Sequence, residues 1–429
     1  MDDGQLGPLV IIESETGSGK TEAALLLSAT LGSSARNHYH NLGRLAAGST
    51  LQQAVDADYP AISDHNGLRP MLVTGRTKSV QWSLHDCMGD PAAITTLVIE
   101  AVRVGAKVLV VRNTVPAAVG LFAEIEKHPQ GINCLFRVEG VTTLHHSRFS
   151  KQDRPLLDSA VEQTLGKKRD PGACIVIGTQ TLEQSLDIDA DLLITDLCPM
   201  DVLLQRIGRL HRHARDESER PPAYSRPRAF ILTPEYHDLS PLLKKPAHGL
   251  GRFRDGGGVY PDLRVIEATR RLIDKHPMIE IPTDNRLLVE GATHPECLKK
   301  IGQTMGEAWE RLSGEITGDT AAGRTVANLH ILEIDKAFAQ DSNMAFPTDH
   351  KIATRLGAQN KLVEFDPSLT GPFGEALKQL PIRHYLLPKG LDPDAQPTAI
   401  TGQDGVIEFN LGKTHYRYSH LGLEQTKND

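Results

Sequence analysis

Four short, continuous apolar runs constrain the fold of this chain more than any other sequence feature. They are AKVLVVRNT at 106–114, ACIVIGTQT at 173–181, ADLLITDL at 190–197 and RAFILTP at 228–234. Strands that are buried on both faces have this composition, which is typical of a parallel sheet covered by helices. Helix-like segments separate the runs, at 116–127, 153–165 and 201–211. The alternation predicts a doubly wound α/β domain over roughly residues 91–235.

The segments on either side of this domain are patterned differently. Residues 1–90 contain a strand-like run, a glycine-rich loop and one further plausible strand at 70–74, so we expect this part to be loosely packed. Downstream, 263–275 and 296–313 are predicted helices within a helical linker region at 236–325. Short strand-like pieces such as GVIEFNL then alternate with turns, which predicts a small α+β domain at 326–429.

Composition and charge limit the functional classes. The 429-residue chain has a formal net charge of −7, so contact with nucleic acid would need a local basic patch. No apolar run approaches the length that spans a bilayer, and the acidic N-terminus lacks the basic region of a signal peptide. Five scattered cysteines are typical of reduced thiols. We therefore expect a cytoplasmic protein without a membrane partner.

A glycine-rich loop near the N-terminus indicates phosphate binding. The segment ETGSGKT follows a VII strand and opens a helix, with Gly17, Gly19, Lys20 and Thr21 at the positions that matter. Glycines allow backbone N–H groups to face phosphate oxygens, the lysine reaches the β/γ-phosphates, and the threonine hydroxyl holds Mg²⁺. The alternative interpretation is a chance glycine-rich turn.

The segment QRIGRLHR is the second chemical motif. Gln205, Arg209 and Arg212 are spaced by four and three residues, which predicts a common face on one helix. A guanidinium there could act as an arginine finger on a γ-phosphate. The alternative is a solvated basic helix. We also expect the arginines of this region to form an exposed positive patch: Arg206, Arg209, Arg212, Arg215, Arg220, Arg226 and Arg228.

These motifs together resemble a superfamily 2 helicase, and more narrowly the CRISPR-associated helicase–nuclease of type I systems. The similarity is carried by EQSLDIDADLLITDLCPMDVLLQRIGRLHRH, LHHSRFSKQDR, YPDLRVIEAT, IPTDNRLLVE, ATRLG and YSHLGLEQ. The last four segments indicate the type I-E branch. The resemblance implies an ATP-dependent 3′-to-5′ DNA helicase. It also implies a RecA-like lobe at 91–235, a truncated remnant of a first RecA-like lobe at 1–90, and partnership with single-stranded DNA and the CRISPR surveillance complex, Cascade.

The resemblance also implies roles for individual residues. ATP and Mg²⁺ would be bound by the loop and by an acidic residue at the nucleotide edge, namely Gly17, Ser18, Gly19, Lys20, Thr21 and Asp187, with Thr21 holding the metal. The DNA backbone would be contacted by Asn113, Thr114 and Thr179. The finger residues would be Gln205, Arg209 and Arg212. Two further matches are the SAT motif at 28–30, which couples hydrolysis to movement, and the HHSRF landmark at 145–149, to which the sequence assigns no role.

Two departures from the family pattern put catalysis in doubt. The Asp-Glu-x-His box is missing between the phosphate loop and SAT, and the one Asp-Glu pair, Asp216–Glu217, lies in a polar loop with no apolar strand before it. The family's metal-dependent HD nuclease domain is also not found, and the His85–Asp86 dipeptide lacks partner ligands. We therefore expect an internally deleted, catalytically inactive chain. The alternatives are a binding module for DNA or the surveillance complex, a second chain that supplies the missing lobe, and an assembly artefact.

Overall fold

The computed structural model describes residues 11–12, 50–56, 61–64, 67–70, 77–183, 186–235, 238–253, 258–329 and 360–426. The strands are β1 (Ile11–Ile12), β2 (Ala61–Asp64), β3 (Gly67–Pro70), β4 (Lys78–His85), β5 (Lys107–Val111), β6 (Arg137–Val138), β7 (Val141–Thr142), β8 (Cys174–Gly178), β9 (Leu192–Asp196), β10 (Arg228–Leu232), β11 (Met278–Ile281), β12 (Lys361–Glu364), β13 (Gln379–Ile382), β14 (Thr398–Gln403), β15 (Val406–Leu411), β16 (Thr414–Ser419) and β17 (Gly422–Thr426). The helices are α1 (Leu51–Asp56), α2 (Pro91–Arg103), α3 (Val115–Glu126), α4 (Pro129–Cys134), α5 (Asp153–Leu165), α6 (Met200–Ile207), α7 (Pro241–Lys244), α8 (Leu263–Lys275), α9 (Asn285–Thr293), α10 (Pro295–Thr304) and α11 (Glu307–Leu329).

Two compact units divide the described residues, and they alternate along the chain. The first unit takes its residues from 1–84, 197–208 and 236–350, and the second from 85–196, 209–235 and 351–429. The predicted domains are continuous ranges with boundaries at 90, 235 and 325, whereas each unit combines separate ranges. The domain boundaries therefore stay a prediction.

A parallel sheet forms the core of the second unit. Its strands run in the order β10-β9-β5-β8, and every residue of β5, β8 and β9 is buried. These strands are the four apolar runs of the sequence, so the predicted α/β fold with a parallel sheet is confirmed. The continuous apolar composition follows from burial of both strand faces under α2, α3, α4 and neighbouring segments.

Local capping fixes where the two helices beside this sheet begin. Asp90 precedes α2, and its Oδ1 accepts the N–H groups of Ala92 at 2.9 Å and Ala93 at 3.1 Å. Thr114 precedes α3 in the same way, and its hydroxyl accepts the N–H of Ala117 at 3.3 Å. Proline occupies one of the first two positions of each helix, where its missing N–H has no partner to lose.

The last part of the second unit is an antiparallel meander, β14-β15-β16-β17. A buried polar cluster joins this meander to the beginning of α5 and the segment before it. The Tyr418 hydroxyl donates to Asp153 and accepts the N–H of Ser150 at 3.0 Å, and the Ser150 hydroxyl donates to Asp153 at 2.9 Å. Burial raises the pKa of the Tyr418 hydroxyl well above its usual value, with the Asp153 charge adding to the effect, so Tyr418 stays a donor.

The HHSRF landmark makes a second set of contacts between the meander and the rest of the second unit. The ring of His146 is hydrogen-bonded to the carbonyl of Leu421 at 3.0 Å, and Arg148 accepts the N–H of Leu423 on its carbonyl at 2.9 Å. Gly422 lies against the same ring, because a Cβ added there would come within 2.5 Å of His146 Cε1. Burial lowers the pKa of His146 to about 3, so the ring is neutral at physiological pH. The landmark therefore attaches the C-terminal meander to the parallel sheet's unit.

The first unit is built from helices and antiparallel strands. The strands β1-β2-β3 form one small antiparallel sheet, and β11 pairs with β4. Helices α8, α9, α10 and α11 pack together, and α6 contacts α8 and α9. The Lys78 ammonium donates to the carbonyl of Ile207 at 2.8 Å, which satisfies the C-terminal end of α6. No helix of the described ranges is long and apolar enough to cross a bilayer.

Several sequence predictions are confirmed in detail, and others are wrong. Helices at 153–165 and 263–275 and the strand within GVIEFNL are confirmed. The single helix expected at 296–313 is instead α10 and α11, since the chain adopts φ 97° at Gly306, which a helix cannot contain. Of the strand expected at 70–74, Pro70 ends β3, and the remainder lies outside the described residues, as do the phosphate loop and SAT.

We predict that Gly422→Ala destabilises the second unit because the new methyl group meets the His146 ring and φ is 76°. The expected loss is about 2–4 kcal/mol of unfolding free energy, combining overpacking with left-handed strain. Gly172→Ala is the matched control, because φ there is 92° but no atom lies within 4 Å of the added Cβ. Urea unfolding measures both, and equal losses for the two variants would contradict a close contact at His146.

Candidate functional site

The predicted DNA-contacting residues lie together at one edge of the parallel sheet. Asn113 and Thr114 follow β5, and Thr179 follows the adjacent parallel strand β8. The Gln180 side-chain amide donates to the Asn113 carbonyl at 2.8 Å and links the two strand ends. Ligands of open α/β sheets bind outside the carboxyl ends of the strands, so this edge is where a ligand is expected.

A buried ion pair that the sequence analysis missed supports this edge. Arg112 Nε lies 2.8 Å from Asp196 Oδ1, and the two side chains are 2% and 0% exposed. Asp196 Oδ2 accepts the Asn113 N–H at 2.7 Å, and Arg112 Nη2 donates to the Met88 carbonyl at 2.8 Å. The pair therefore fixes the backbone that carries Asn113. A charged residue at the end of an otherwise apolar run was the available signal.

The Thr114 hydroxyl can donate a hydrogen bond to a ligand. The oxygen accepts the Ala117 N–H as the cap of α3, and the side chain is half-buried. Because a hydroxyl that accepts one hydrogen bond still has its own hydrogen to donate, Thr114 can donate to an anion such as a phosphate. Asn113 and Thr179 are buried, and the Thr179 N–H donates to the His145 carbonyl at 3.1 Å.

His145 anchors the landmark to this edge. Its ring lies between the Thr181 hydroxyl at 2.8 Å and the Asp158 carboxylate at 2.7 Å, and it is fully buried. Burial lowers the pKa of His145 more than Asp158 raises it. Because His145 contacts the β8 end and the following His146 contacts the meander, the landmark connects the candidate site to the C-terminal domain.

Arg212 and Asp187 form an ion pair that is open to solvent. Arg212 Nε lies 2.7 Å from Asp187 Oδ1, with the side chains 20% and 54% exposed, and His213 Nε2 lies 3.2 Å from the same oxygen. The structure thus brings a predicted finger residue next to the predicted acidic residue of the nucleotide edge. Their functional roles stay predictions, since the phosphate loop, Gly17, Ser18, Gly19, Lys20 and Thr21, lies outside the described residues.

Arg209 is placed differently from Arg212. Its guanidinium is 2% exposed and donates to the carbonyls of Leu186 at 2.6 Å and Glu183 at 2.7 Å. Burial lowers its pKa to about 10, with Arg212 acting in the same direction. Arg209 therefore binds the backbone at Glu183 and Leu186, and it would have to break two hydrogen bonds to reach a nucleotide.

The predicted common helix face does not exist. Helix α6 ends at Ile207, so the half-buried Gln205 is helical whereas Arg209 and Arg212 lie beyond the helix. The physical reason is pairing with another segment: the Ala190 N–H donates to the Arg209 carbonyl at 2.9 Å, and the His211 N–H donates back to Ala190 at 3.1 Å. Backbone pairing of this kind is incompatible with a continued helix.

The prediction of an exposed arginine patch is wrong for most of its members. Arg206, Arg209, Arg215 and Arg220 are buried or nearly so, and of the seven only Arg226 and Arg228 are exposed. Asp189 is fully buried and accepts from Arg220 Nη2 at 2.8 Å, from Arg215 Nε at 2.5 Å and from the Arg212 N–H at 2.8 Å. Asp191 accepts from Arg220 at 2.6 Å and Arg169 at 2.7 Å. Internal carboxylates therefore neutralise this charge.

Local structure explains the two dipeptides, Asp216–Glu217 and His85–Asp86, that the sequence offered as an acidic box and a metal site. Asp216 caps a single turn of 3-10 helix at Glu217–Glu219, which fits its place in a loop. Asp86 accepts the Thr233 hydroxyl at 2.5 Å, and the His85 ring lies 4.6 Å from that of Phe230. Within the described ranges, no three metal-ligating side chains converge.

Comparison with known proteins identifies relatives of this arrangement. Residues 104–215 match the family model for the C-terminal region of the CRISPR-associated nuclease/helicase Cas3. The chain is 41% identical over 199 residues to the CRISPR-associated endonuclease/helicase Cas3 of Thermus thermophilus, which covers 46% of this chain and 20% of that protein. It thus spans about a fifth of the length of the curated relatives it matches.

Solved structures share the fold over most of the chain. The crystal structure of T. fusca Cas3-ATP aligns with a TM-score of 0.63 at 21% identity, covering 86% of this chain and 46% of that one. A chain of a CRISPR RNA-guided surveillance complex in its pre-nicking state aligns with a TM-score of 0.56, also at 21% identity, covering 86% of this chain and 48% of that one. At this identity the likeness concerns the fold.

We predict that Asp189→Asn destabilises the second unit by about 3–5 kcal/mol at neutral pH, because Arg215 and Arg220 lose a buried counter-charge. Burial alone would raise the pKa of Asp189, but Arg220 and Arg215 together hold it below its usual value. A carboxyl with a depressed pKa stabilises the fold above its unfolded pKa of about 3.9, and this contribution is lost as the pH falls below it.

Urea unfolding of both proteins between about pH 8 and pH 3 tests this prediction. The difference between wild type and variant should be constant down to about pH 5 and shrink below about pH 4. Asp170→Asn, at an exposed position, is the control and should change stability little. A difference between Asp189→Asn and wild type that grows in acid would contradict the assignment.

Proposed function

Because this chain belongs to the Cas3 family of CRISPR-associated nuclease/helicases, we propose that it binds single-stranded DNA along the carboxyl edge of its parallel sheet and does not hydrolyse ATP by itself. The observation that carries the proposal is the placement of Asn113, Thr114 and Thr179 at the ends of adjacent parallel strands. In this proposal the α/β part of the second unit is the second RecA-like lobe of the family.

DNA binding at this edge has a physical basis. The Thr114 hydroxyl has a hydrogen to donate, and α3 begins directly behind it, so that a phosphate there would also meet the positive end of the helix dipole. The Arg112–Asp196 pair and the Gln180–Asn113 hydrogen bond hold the two strand ends in place before any ligand arrives. A prearranged site of this kind loses little conformational entropy on binding.

Nucleotide binding is proposed for the loop residues Gly17, Ser18, Gly19, Lys20 and Thr21, with Asp187 at the edge of the site. ATP with Mg²⁺, when bound, supplies a γ-phosphoryl group whose developing charge needs neutralisation. Among the described residues, Arg212 fits this need, since its guanidinium is partly exposed and lies 2.7 Å from the exposed carboxylate of Asp187. Support also comes from the similar T. fusca Cas3, whose structure includes ATP.

Catalytic inactivity is proposed because no residue is available to orient the attacking water. The sequence has no Asp-Glu-x-His box between Lys20 and the SAT motif. Its aspartate helps hold the metal and its glutamate positions the water, and loss of such parts slows phosphoryl transfer by orders of magnitude. A role as a binding module remains, and the similar chain in a surveillance complex supports Cascade as the partner.

We expect no DNA-stimulated ATP hydrolysis from the purified chain. Hydrolysis needs a positioned phosphate, a held metal, an oriented water and a cation at the γ-phosphate, and the missing box would have supplied the carboxylates for the metal and the water. The measurement is phosphate release with and without single-stranded DNA, run beside Lys20→Ala. ATP turnover that disappears in Lys20→Ala would contradict the proposal that the chain is catalytically inactive, and it would indicate that another carboxylate replaces those of the box. A full-length relative with the box intact serves as the positive control.

We expect Thr114→Val to weaken binding of single-stranded DNA about tenfold, because it removes a hydroxyl that donates to a charged phosphate oxygen. Thr114→Ser keeps that hydroxyl and the helix cap and should bind as the wild type does. Thr96→Val, at an exposed threonine of α2, is the control for a change from Thr to Val away from the edge. Fluorescence anisotropy measures the affinities, and equal binding by Thr114→Val and Thr114→Ser would refute the contact.

A further inference from the structure

Tyr385 is an exposed aromatic side chain on the C-terminal part of the second unit. It is 56% exposed, and Phe253, at 53%, is the other strongly exposed aromatic of the described residues. A single exposed apolar residue is common on protein surfaces and does not by itself indicate a binding site. The role of Tyr385 therefore has to be argued from the residues around it.

The backbone beneath Tyr385 is held firmly. It lies in a single turn of 3-10 helix, His384–Leu386, in which the Leu386 N–H donates to the Arg383 carbonyl at 2.8 Å. The buried Tyr416 hydroxyl donates to the Leu386 carbonyl at 2.5 Å, and the Leu386 side chain is itself buried. The exposed ring is therefore mounted on an ordered support rather than on a free loop.

A guanidinium and an imidazole lie beside the ring. The Arg148 guanidinium carbon lies 5.6 Å from the centroid of the Tyr385 ring, and the His384 ring meets it edge-on with centroids 5.4 Å apart. Arg383 Nη2 donates to the Ser147 carbonyl at 3.4 Å, which places a second guanidinium beside the residue that precedes Arg148. Glu424 is the acidic group that faces Arg148: burial raises its pKa, and the charges of Arg417 and Arg148 act in the opposite direction.

The Arg148 side chain is half-buried. Its Nε is buried and, within the described ranges, has no hydrogen-bond partner, so this atom does not face a ligand in solvent. A guanidinium beside an exposed aromatic ring is a combination that can recognise a nucleotide, because the ring stacks on a base while the cation pairs with phosphate.

We propose that Tyr385, Arg148, Arg383 and His384 form a stacking platform for one base of single-stranded DNA. The solvent-facing part of the ring takes the base, and the two arginines take the neighbouring phosphates. This inference rests on the proposed binding of single-stranded DNA, and it adds a second contact site to the sheet edge. The two sites belong to one unit, since Arg148 follows His145 by three residues and His145 accepts the Thr179 N–H.

Removal of the ring should weaken DNA binding in a way that depends on the bases. We expect Tyr385→Ala to lower the affinity of the full chain for an oligothymidine of about 15 nucleotides by about 5- to 150-fold, and Tyr385→Phe to change it less than about twofold. An abasic strand of the same length keeps the phosphates, so wild type and Tyr385→Ala should bind it equally. Phe253→Ala is the matched control at the other exposed aromatic.

Crosslinking gives a readout that does not depend on affinity. An oligonucleotide with 5-iodouracil at successive positions should crosslink to Tyr385 on irradiation, and peptide mass spectrometry should locate the adduct there. Circular dichroism and urea unfolding of Tyr385→Ala should match the wild type, because the ring is mostly in solvent.

The outcomes separate this proposal from the preceding one. If wild type does not bind single-stranded DNA, both are overturned. If it binds, and Thr114→Val weakens binding while Tyr385→Ala does not, the platform alone is overturned. Equal loss of affinity for the oligothymidine and the abasic strand in Tyr385→Ala would also overturn it, because that result indicates an electrostatic or protein-docking surface rather than base stacking.

Discussion

The ion pair between Arg112 and Asp196 holds the functional edge of this protein together. Arg112 directly follows β5 and Asp196 ends β9, and their side chains meet at 2.8 Å with almost no access to water. Asp196 also accepts the Asn113 N–H, and Arg112 also donates to the carbonyl of Met88. Three segments of the chain, at Met88, Arg112–Asn113 and Asp196, are thus held by one charge pair. A pair buried this deeply contributes little net stability but is costly to break, so it acts mainly to specify one arrangement of the strand ends.

The HHSRF landmark connects the ordered edge of the parallel sheet to the C-terminal meander and to Tyr385. His145 contacts the end of β8, His146 contacts the turn before β17, and Arg148 reaches the Tyr385 ring. Burial keeps both imidazoles neutral, so each can act as a hydrogen-bonding spacer without an uncompensated charge. A five-residue segment whose purpose the sequence left open is therefore the joint on which the sheet edge and the proposed stacking platform both depend.

The arginines after α6 show how charge in the sequence differs from charge on the surface. Seven arginines within 23 residues suggest a basic patch, yet Asp189 and Asp191 draw Arg169, Arg215 and Arg220 inward. These carboxylates lie in the DIDAD segment, 22 residues after Arg169 and 26 and 29 residues before Arg215 and Arg220 in the pairs Asp189–Arg215 and Asp191–Arg220. The composition of a segment gives its number of charged residues. It does not show which of them form buried ion pairs, because those pairs depend on contacts between segments distant in sequence.

The sequence by itself determined the parallel sheet, the family and the positions of its motifs. Short continuous apolar runs that alternate with helix-like segments favour strands covered on both faces, so local composition and run length were sufficient for β5, β8, β9 and β10. Only the tertiary structure decided where α6 ends, which arginines are buried and what the landmark does. Pairing of Ala190 with the chain at Arg209 and His211 overrides the helical spacing of QRIGRLHR. Such outcomes depend on long-range backbone pairing and buried charge, neither of which leaves a local pattern in the sequence.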